Sequence, residues 1–184
     1  MQIEDQKWPK RCGHMAGKTV VPLEEMEAKV RAITQEKLNP DTFIWARTDA
    51  RGPLGLDEAL RRGERFLRAG ADAIFIEAPR TIEELERVGK AFDAVQACNP
   101  LEGGVTPILK PQEYYDLGFK VVIYGINLVL HATKAVQRAL GDMRSGQFAI
   151  QGQGATFKEF VTAVGFDEWA RVDDQYGVGS MGHK

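Results

Sequence analysis

The chain has 184 residues, which is long enough to bury a core and suits one domain. Its formal net charge of -2 and the lack of a basic run argue against a nucleic-acid partner, and no apolar run reaches the length that crosses a membrane. Two cysteines, Cys12 and Cys98, do not make a disulfide framework, so the sequence predicts a cytoplasmic protein whose partners are small molecules or other protein chains.

The first fourteen residues predict a strand followed by a charged turn. Residues 2–6 predict a short buried strand ending in carboxylates, and because the chain begins in this strand we expect further strands upstream. In the turn, Cys12 lies among the basic side chains of Lys10, Arg11 and His14. Nearby positive charge favours the thiolate, which makes Cys12 a candidate for proton transfer or nucleophilic attack. The alternative is that the basic side chains are solvated and Cys12 is a small buried apolar residue.

The rest of the chain predicts alternating helices and strands. Continuous apolar runs at 42–46 and 72–76 are typical of strands buried on both faces. The predicted elements after the first strand are a helix from residue 22, a strand at 42–46, a loop at 51–55, a helix at 56–69, a strand at 72–76, a helix from a capping box at Thr81, a weaker strand at 94–98, a loop at 102–107, a short helix at 111–117, a strand at 119–124 and a long helix at 126–143. Five buried parallel strands joined by helices predict the α/β class with right-handed crossovers.

The C-terminal region changes character after residue 146. Residues 147–155 are polar and glycine-rich, as in a linker, and Thr156 with Glu159 forms a capping box that opens a helical segment at 156–176. Because this segment carries apolar side chains beyond a linker, it needs a surface to cover, either that of its own domain or that of a neighbouring chain. Residues 177–184 are predicted to form a flexible tail.

Polar residues close four of the predicted strands in turn, namely Glu4, Arg47, Glu77 and Asn99. If the strand ends converge on one rim, these side chains surround a site for an anionic, metal-bound substrate. Each residue also has a structural alternative. Glu4 could be a buried acid paired with a lysine, and Arg47 could be a salt-bridged strand end. Glu77 could be a helix-dipole partner, and Asn99 a turn former.

Six motifs, in order, resemble the isocitrate lyase and phosphoenolpyruvate mutase superfamily. They are Ile3-Glu4-Asp5-Gln6, Pro9-Lys10-Arg11-Cys12-Gly13-His14, Ala46-Arg47-Thr48-Asp49-Ala50, Ala69-Gly70-Ala71-Asp72, Phe75-Ile76-Glu77-Ala78, and Asn99 ahead of Gly104-Val105-Thr106-Pro107. The resemblance implies a (β/α)8 TIM barrel, of which residues 1–146 supply strands four to eight as a partial barrel. It also implies a homo-oligomer, a dimer of dimers in which a C-terminal helix is exchanged between subunits.

The same resemblance implies roles for single residues. Glu4 is expected beside a bound Mg²⁺ (or Mn²⁺) ion, and Lys10, Cys12 and His14 are expected to be catalytic in a loop that closes over the substrate. Substrate contacts are implied for five residues, which are Gly13, Arg47, Glu77, Asn99 and Thr106. The Lys-Arg-Cys-Gly-His loop looks more like that of the 2-methylisocitrate lyase branch than like that of the phosphonate-handling mutases.

The implied reaction is cleavage of a carbon–carbon bond in a small 2-hydroxy di- or tricarboxylate, through an enolate to which Cys12 gives a proton. One alternative is a phosphonomutase, or a decarboxylase or hydrolase of oxaloacetate-like acids. Another is an inactive, truncated fragment. The family's first three strands, with the aspartates that hold Mg²⁺ most directly, have no counterpart here. Gln2 stands where the family often has histidine, and Gly125 where it has proline.

Overall fold

The structure is a computed structural model, and it describes residues 1–177. Its elements are, in chain order, β1 (Gln2–Glu4), α1 (Leu23–Glu36), β2 (Trp45–Thr48), α2 (Arg51–Leu54), α3 (Leu56–Arg68), β3 (Ala73–Ile76), α4 (Ile82–Gly89), β4 (Val95–Cys98), α5 (Pro111–Asp116), β5 (Val121–Val122), α6 (Asn127–Ser145), α7 (Phe157–Ala163) and α8 (Phe166–Tyr176). Except for Gly177, the tail predicted at 177–184 lies outside the described residues.

The five strands form one parallel sheet in the order β1-β2-β3-β4-β5. Each strand pairs with the next one along the chain, and at least one helix lies between successive strands. Sequential parallel strands with helical crossovers are the arrangement of a β/α barrel segment. The predicted α/β class is therefore confirmed.

The core of the first compact unit, Met1–Leu130, lies between the sheet and its helices. All four residues of β3 are buried, as the apolar run predicted. Close backbone packing between two successive crossovers depends on two glycines, because a Cβ at Gly89, the last residue of α4, would lie 2.0 Å from the carbonyl oxygen of Leu117, which follows α5. A Cβ at Gly118, where φ is +109°, would lie 2.2 Å from the carbonyl oxygen of Gly89. Any larger residue at either position would therefore force this helix and loop apart.

Several predicted elements need correction. β1 is half-buried rather than buried, since within residues 1–177 it pairs on one side only. β2 begins three residues later than predicted, because the amide of Ile44 donates to the Asp72 carboxylate rather than to a neighbouring strand. Residues 51–54 of the predicted loop form the short helix α2. Of the predicted last strand, 119–124, only Val121–Val122 forms the strand β5.

The second compact unit comprises His131–Lys184. Residues 147–155 contain turns but no helix or strand, and Thr156 and Glu159 form the expected capping box. None of the described residues of α6, α7 or α8 is buried, and Phe157 and Trp169 are 82% and 69% exposed. These helices therefore present apolar side chains to solvent in the described chain. Among residues 1–177, no helix is both long and apolar enough to cross a membrane.

Candidate active site

Four strand ends place polar side chains along one edge of the sheet. Glu4 is the last residue of β1 and lies opposite Arg47 of β2 in the parallel register. Glu77 and Asn99 directly follow β3 and β4. The Arg47 guanidinium lies 3.6 Å from Glu4 (Nε to Oε2) and 3.5 Å from Glu77 (Nη2 to Oε1). The Asn99 side chain forms a hydrogen bond that acts on the Glu77 carboxyl group. The structure thus brings together all four residues that the sequence singled out.

Arg47 is held most tightly by Asp49. Its Nε donates to Asp49 Oδ2 at 2.9 Å and its Nη2 donates to Oδ1 at 3.1 Å, which makes a two-bond fork. The guanidinium also lies 5.1 Å from the centre of the Phe75 ring. Burial lowers the pKa of Arg47, but the hydrogen bonds to Asp49 and the charges of Glu77, Asp49 and Glu4 outweigh burial and raise it. Arg47 is therefore a fixed cation among three carboxyl groups.

Asp49 holds Arg47, although the strand-end pattern of the sequence does not single it out. It is fully buried, and its position two residues after Arg47 was the available signal, since residues i and i+2 of a strand point to the same face. Arg47 also forms salt bridges at the end of β2, which is the structural alternative proposed for it.

Glu77 is buried beside the loop that carries the cysteine. Burial raises the pKa of Glu77 to about 7, although Arg47 opposes that change. His14 Nε2 lies 3.3 Å from Glu77 Oε1, and His14 Nδ1 accepts a hydrogen bond from the Val105 amide at 3.1 Å. Burial lowers the pKa of His14. A neutral imidazole that accepts at Nδ1 carries its proton on Nε2, which faces Glu77.

The loop from residue 7 to residue 19 is closed at its base. Gln6 and Val20 form an antiparallel bridge, and the Lys7 amide donates to the Thr19 carbonyl at 2.8 Å. The Gln6 side chain then pairs with the backbone of Arg11, accepting from its amide and donating to its carbonyl at 2.9 Å. Sequence reasoning had placed Gln6 only at the end of a strand.

The tip of the same loop approaches the sheet closely because of glycines. A Cβ at Gly13 would lie 2.2 Å from Glu77 Cγ, and a Cβ at Gly104 would lie 2.5 Å from His14 Nδ1. Lys18 Nζ donates to the carbonyls of Gly13 and Met15, the latter at 3.2 Å. Gly13, predicted as a substrate contact, therefore packs directly against Glu77.

Cys12 and Lys10 occupy different surroundings. Cys12 is exposed, so the alternative of a small buried residue does not hold. Lys10 Nζ lies 2.8 Å from Glu4 Oε1, which is the lysine pairing considered as a structural alternative for Glu4. The structure pairs Lys10 and His14 with carboxyl groups of the sheet edge, and the catalytic roles of these three residues stay predictions.

Asn99 and Thr106 leave polar atoms unpaired. Asn99 Oδ1 and Thr106 Oγ1 are buried and have no hydrogen-bond partner among the described residues. Buried polar atoms without a partner are uncommon, and a ligand is one way to satisfy them. Both residues therefore suit the predicted substrate contacts, which stay predictions.

The described residues do not form a complete metal centre. Within residues 1–177 there is no group of three or more His, Cys, Asp or Glu side chains that could hold a metal ion. Glu4, the predicted ligand, is half-buried between the cations of Lys10 and Arg47. One carboxylate does not provide the oxygen ligand set that Mg²⁺ requires. Glu4 could therefore supply at most one of the ligands of such an ion.

A cavity of about 260 Å³ lies beside the loop. Its lining includes loop residues from Gly13 to Lys18 and, across from them, Gly52, Ala78 and Arg80. Glu4, Arg47 and Asn99 do not line it. The cavity therefore belongs to the loop side of the site and not to the strand-end cluster itself.

Comparisons with known proteins agree on one family. A model of the family described as phosphoenolpyruvate phosphomutase matches residues 1–144. The chain is 39% identical to 2,3-dimethylmalate lyase of Eubacterium barkeri over 97% of this chain and 63% of that protein. It is 37% identical to 2-methylisocitrate lyase of Bacillus subtilis (strain 168) over 94% of this chain and 58% of that protein.

Solved structures of similar fold support the same relationship. An oxaloacetate acetylhydrolase bound to 3,3-difluorooxalacetate matches with a TM-score of 0.89 and 28% identity, over 98% of this chain and 62% of that one. A phosphonopyruvate hydrolase in complex with oxalate and Mg²⁺ matches with a TM-score of 0.78 and 26% identity, over 95% of this chain and 62% of that one. The chain spans about 60% of the length of the proteins it matches.

Proposed function

Since the chain belongs to the phosphoenolpyruvate phosphomutase family, within the PEP mutase/isocitrate lyase superfamily, we propose that it serves carbon–carbon bond cleavage in a small 2-hydroxy di- or tricarboxylate. The observation that carries the proposal is the set of strand-end side chains around Arg47, faced by a glycine-tipped loop with an exposed cysteine. A cytoplasmic location is part of the proposal.

Arg47 is the proposed anchor of a substrate carboxylate. Its guanidinium is fixed by the Asp49 fork and would bind a carboxylate through its remaining N–H groups, which lowers the free energy of an anion at this edge. Asn99 Oδ1 would accept a hydrogen bond from a substrate hydroxyl, and Thr106 Oγ1 would donate to or accept from the substrate. Orientation of the reacting bond follows from these fixed contacts.

The proposed chemistry is a retro-aldol cleavage. The substrate hydroxyl loses its proton and becomes the carbonyl of a 2-oxo acid, while the electron pair of the broken bond forms an enolate on the other product. Glu77, with a pKa of about 7, exchanges protons near neutral pH and suits the first transfer. The Cys12 thiol would give its proton to the enolate carbon.

Glu4 is the one residue of the strand-end cluster that we propose as a ligand of a divalent cation, Mg²⁺ or Mn²⁺. That carboxylate can supply one ligand after it is released from Lys10, and the others would come from water, substrate or residues outside the described cluster. The phosphonopyruvate hydrolase complex contains Mg²⁺ with oxalate, which supports a cation in relatives of this site.

A second candidate function is hydrolysis of oxaloacetate-like acids or rearrangement of a phosphonate. The likeness to oxaloacetate acetylhydrolase supports the first, and 39% identity to the carboxyvinyl-carboxyphosphonate phosphorylmutase of Arabidopsis thaliana, over 95% of this chain and 53% of that protein, supports the second. Both would use the same Arg47 anchor for a carboxylate.

One panel of substrates separates these functions. The chain is incubated with Mg²⁺ and, separately, 2-methylisocitrate, 2,3-dimethylmalate, oxaloacetate and phosphonopyruvate. Release of pyruvate from 2-methylisocitrate or of propionate from 2,3-dimethylmalate supports a lyase, oxalate from oxaloacetate indicates a hydrolase, and a new phosphorus NMR signal from phosphonopyruvate indicates phosphonate chemistry. No turnover of any acid would contradict activity of this chain and favour a non-catalytic role.

We also propose that the chain associates with copies of itself. The apolar side chains of α7 and α8 are exposed, and β1 has an unpaired edge within the described residues. A dimer of dimers with an exchanged C-terminal helix is the predicted arrangement. Analytical ultracentrifugation tests it, and a monomer at all concentrations would contradict it.

A further inference from the structure

We propose that Arg62, on the outer helix α3, is a positioning residue that holds Arg47 in place for a substrate carboxylate. The proposal rests on the proposed function of Arg47 as the carboxylate anchor. Arg62 lies fifteen positions from Arg47 in sequence, and only 4% of its surface is exposed. A guanidinium so deeply buried must have specific partners.

The first link joins Arg62 to Asp5. Arg62 Nη1 donates to Asp5 Oδ2 at 2.9 Å and to the Val21 carbonyl at 3.0 Å, while its Nε donates to Glu58 at 2.9 Å. Asp5 is fully buried next to Glu4, at the end of β1. Without Arg62 this carboxylate would lose its cation in a buried position.

The second link joins Asp5 to the backbone of β2. Asp5 Oδ1 accepts from the Asp49 amide at 2.9 Å, and Oδ2 accepts from Thr48 Oγ1 at 2.6 Å. Thr48 Oγ1 in turn accepts from the Ala50 amide at 3.1 Å. The carboxylate therefore fixes the turn that leaves β2.

The third link joins that turn to the anchor. Both carboxylate oxygens of Asp49 accept from Arg47, so the direction of the Arg47 guanidinium follows the direction of Asp49. The Asp49 amide and carboxylate belong to one residue. A shift of the amide away from Asp5 would therefore turn the carboxylate, and the Arg47 guanidinium bound to it would turn as well. Arg62 thus reaches Arg47 through two carboxylates without touching the substrate.

The test uses the Nε–H signal of Arg47 in a ¹⁵N NMR spectrum of the whole chain, assigned by its loss in Arg47→Lys. In Arg62→Met we expect this signal to shift and its hydrogen exchange to accelerate about tenfold relative to the Ile74 amide in β3. A purely structural role would accelerate both groups equally. Arg61→Met is the matched control, because Arg61 also pairs with Glu58 but is exposed and does not contact Asp5.

Arg62→Lys covers the case in which Arg62→Met does not fold, because it keeps a cation beside Asp5. It should shift the Arg47 signal in the same direction by a smaller amount. An Arg47 signal that matches wild type in every folded Arg62 variant would overturn the proposal, and so would failure of both variants to fold.

A second arm separates this proposal from the proposed function. Oxalate binding in the presence of Mg²⁺ is measured by calorimetry, and we expect about tenfold weaker binding in Arg62→Met than in Arg61→Met. If wild type does not bind oxalate, the carboxylate-anchor function fails, while the NMR arm still decides whether Arg62 positions Arg47.

Discussion

The imidazole of His14 and the carboxyl group of Glu77 lie 3.3 Å apart, and both side chains are almost completely buried. One comes from the loop after β1 and the other from the end of β3. Because burial raises the pKa of Glu77 to about 7 and lowers that of His14, each group holds more of its uncharged form near neutral pH than it would in water.

The first prediction concerns stability against pH. The folded pKa of Glu77 is above its ordinary value of 4.5, so the folded state holds a proton that the unfolded state loses, and stability falls as pH rises from about 4.5 to about 7. His14 acts in the opposite sense, and its lowered pKa removes stability as pH falls below 6.5. Glu77→Gln should abolish the loss of stability between about pH 4.5 and about pH 7, as measured by urea unfolding at several pH values. Glu86→Gln, at an exposed ion pair, is the control, and an unchanged pH profile in Glu77→Gln would refute the assignment.

The second prediction concerns the thiol. Cys12→Ser should lower turnover of the lyase substrate by about a hundredfold or more, because the serine hydroxyl is a much weaker proton donor, while substrate binding is kept. Cys98→Ala, which changes the other cysteine in the core, should leave turnover near wild type if the protein folds. Equal turnover of Cys12→Ser and wild type would exclude Cys12 as the acid.

The third prediction concerns the base of the loop. Gln6→Ala removes two hydrogen bonds to the Arg11 backbone and should speed tryptic cleavage after Arg11 by about tenfold. Gln112→Ala removes an exposed side-chain bond to Asp116 and should not change that rate. Cleavage at the same rate in both variants would mean that Gln6 does not hold the loop.

The fourth prediction concerns the tip of the loop. Gly13→Ala places a methyl group 2.2 Å from Glu77 Cγ, so the loop must move away from the sheet edge. We expect faster tryptic cleavage in the loop and weaker substrate binding, measured by calorimetry. Gly141→Ala, where nothing lies within 4 Å of the new Cβ, is the matched control. A loop as protected as in wild type would show that the close approach to Glu77 is not needed.

Local patterns predicted those parts of the fold that local forces determine. The apolar run of β3 and the capping box at Thr156 appear where the sequence placed them. At Thr81 only half of the predicted capping box forms, because Thr81 caps the Glu84 amide while the Glu84 side chain accepts from the Arg80 amide. The start of β2 could not be read in this way, because the competing acceptor for the Ile44 amide is Asp72, 28 residues along the chain. Apolar residues alone do not mark where pairing begins.

The strand-end residues of the site could be predicted from the pattern of apolar runs and from their position after each run. The residues that hold them in place through hydrogen bonds could not be predicted. Glu4, Arg47 and Glu77 lie together because parallel strands end at one edge. The contacts from Arg62 to Asp5 and from Asp5 to Thr48 join residues more than forty positions apart, and no sequence spacing indicates them. The sequence motifs contained Asp5 and Asp49 without indicating that each holds another part of the site.

The two anchors of the loop have a geometric consequence for the thiol. Gln6 fixes the backbone at Arg11, and Val105 holds the ring of His14, so only Cys12 and Gly13 lie between two restrained points. Such a short span leaves the sulfur little freedom beyond rotation about its own Cα–Cβ bond. A substrate that receives a proton from this thiol must therefore bind close to the sulfur. The distance between the Cys12–Gly13 backbone and the strand ends then limits the size of that substrate.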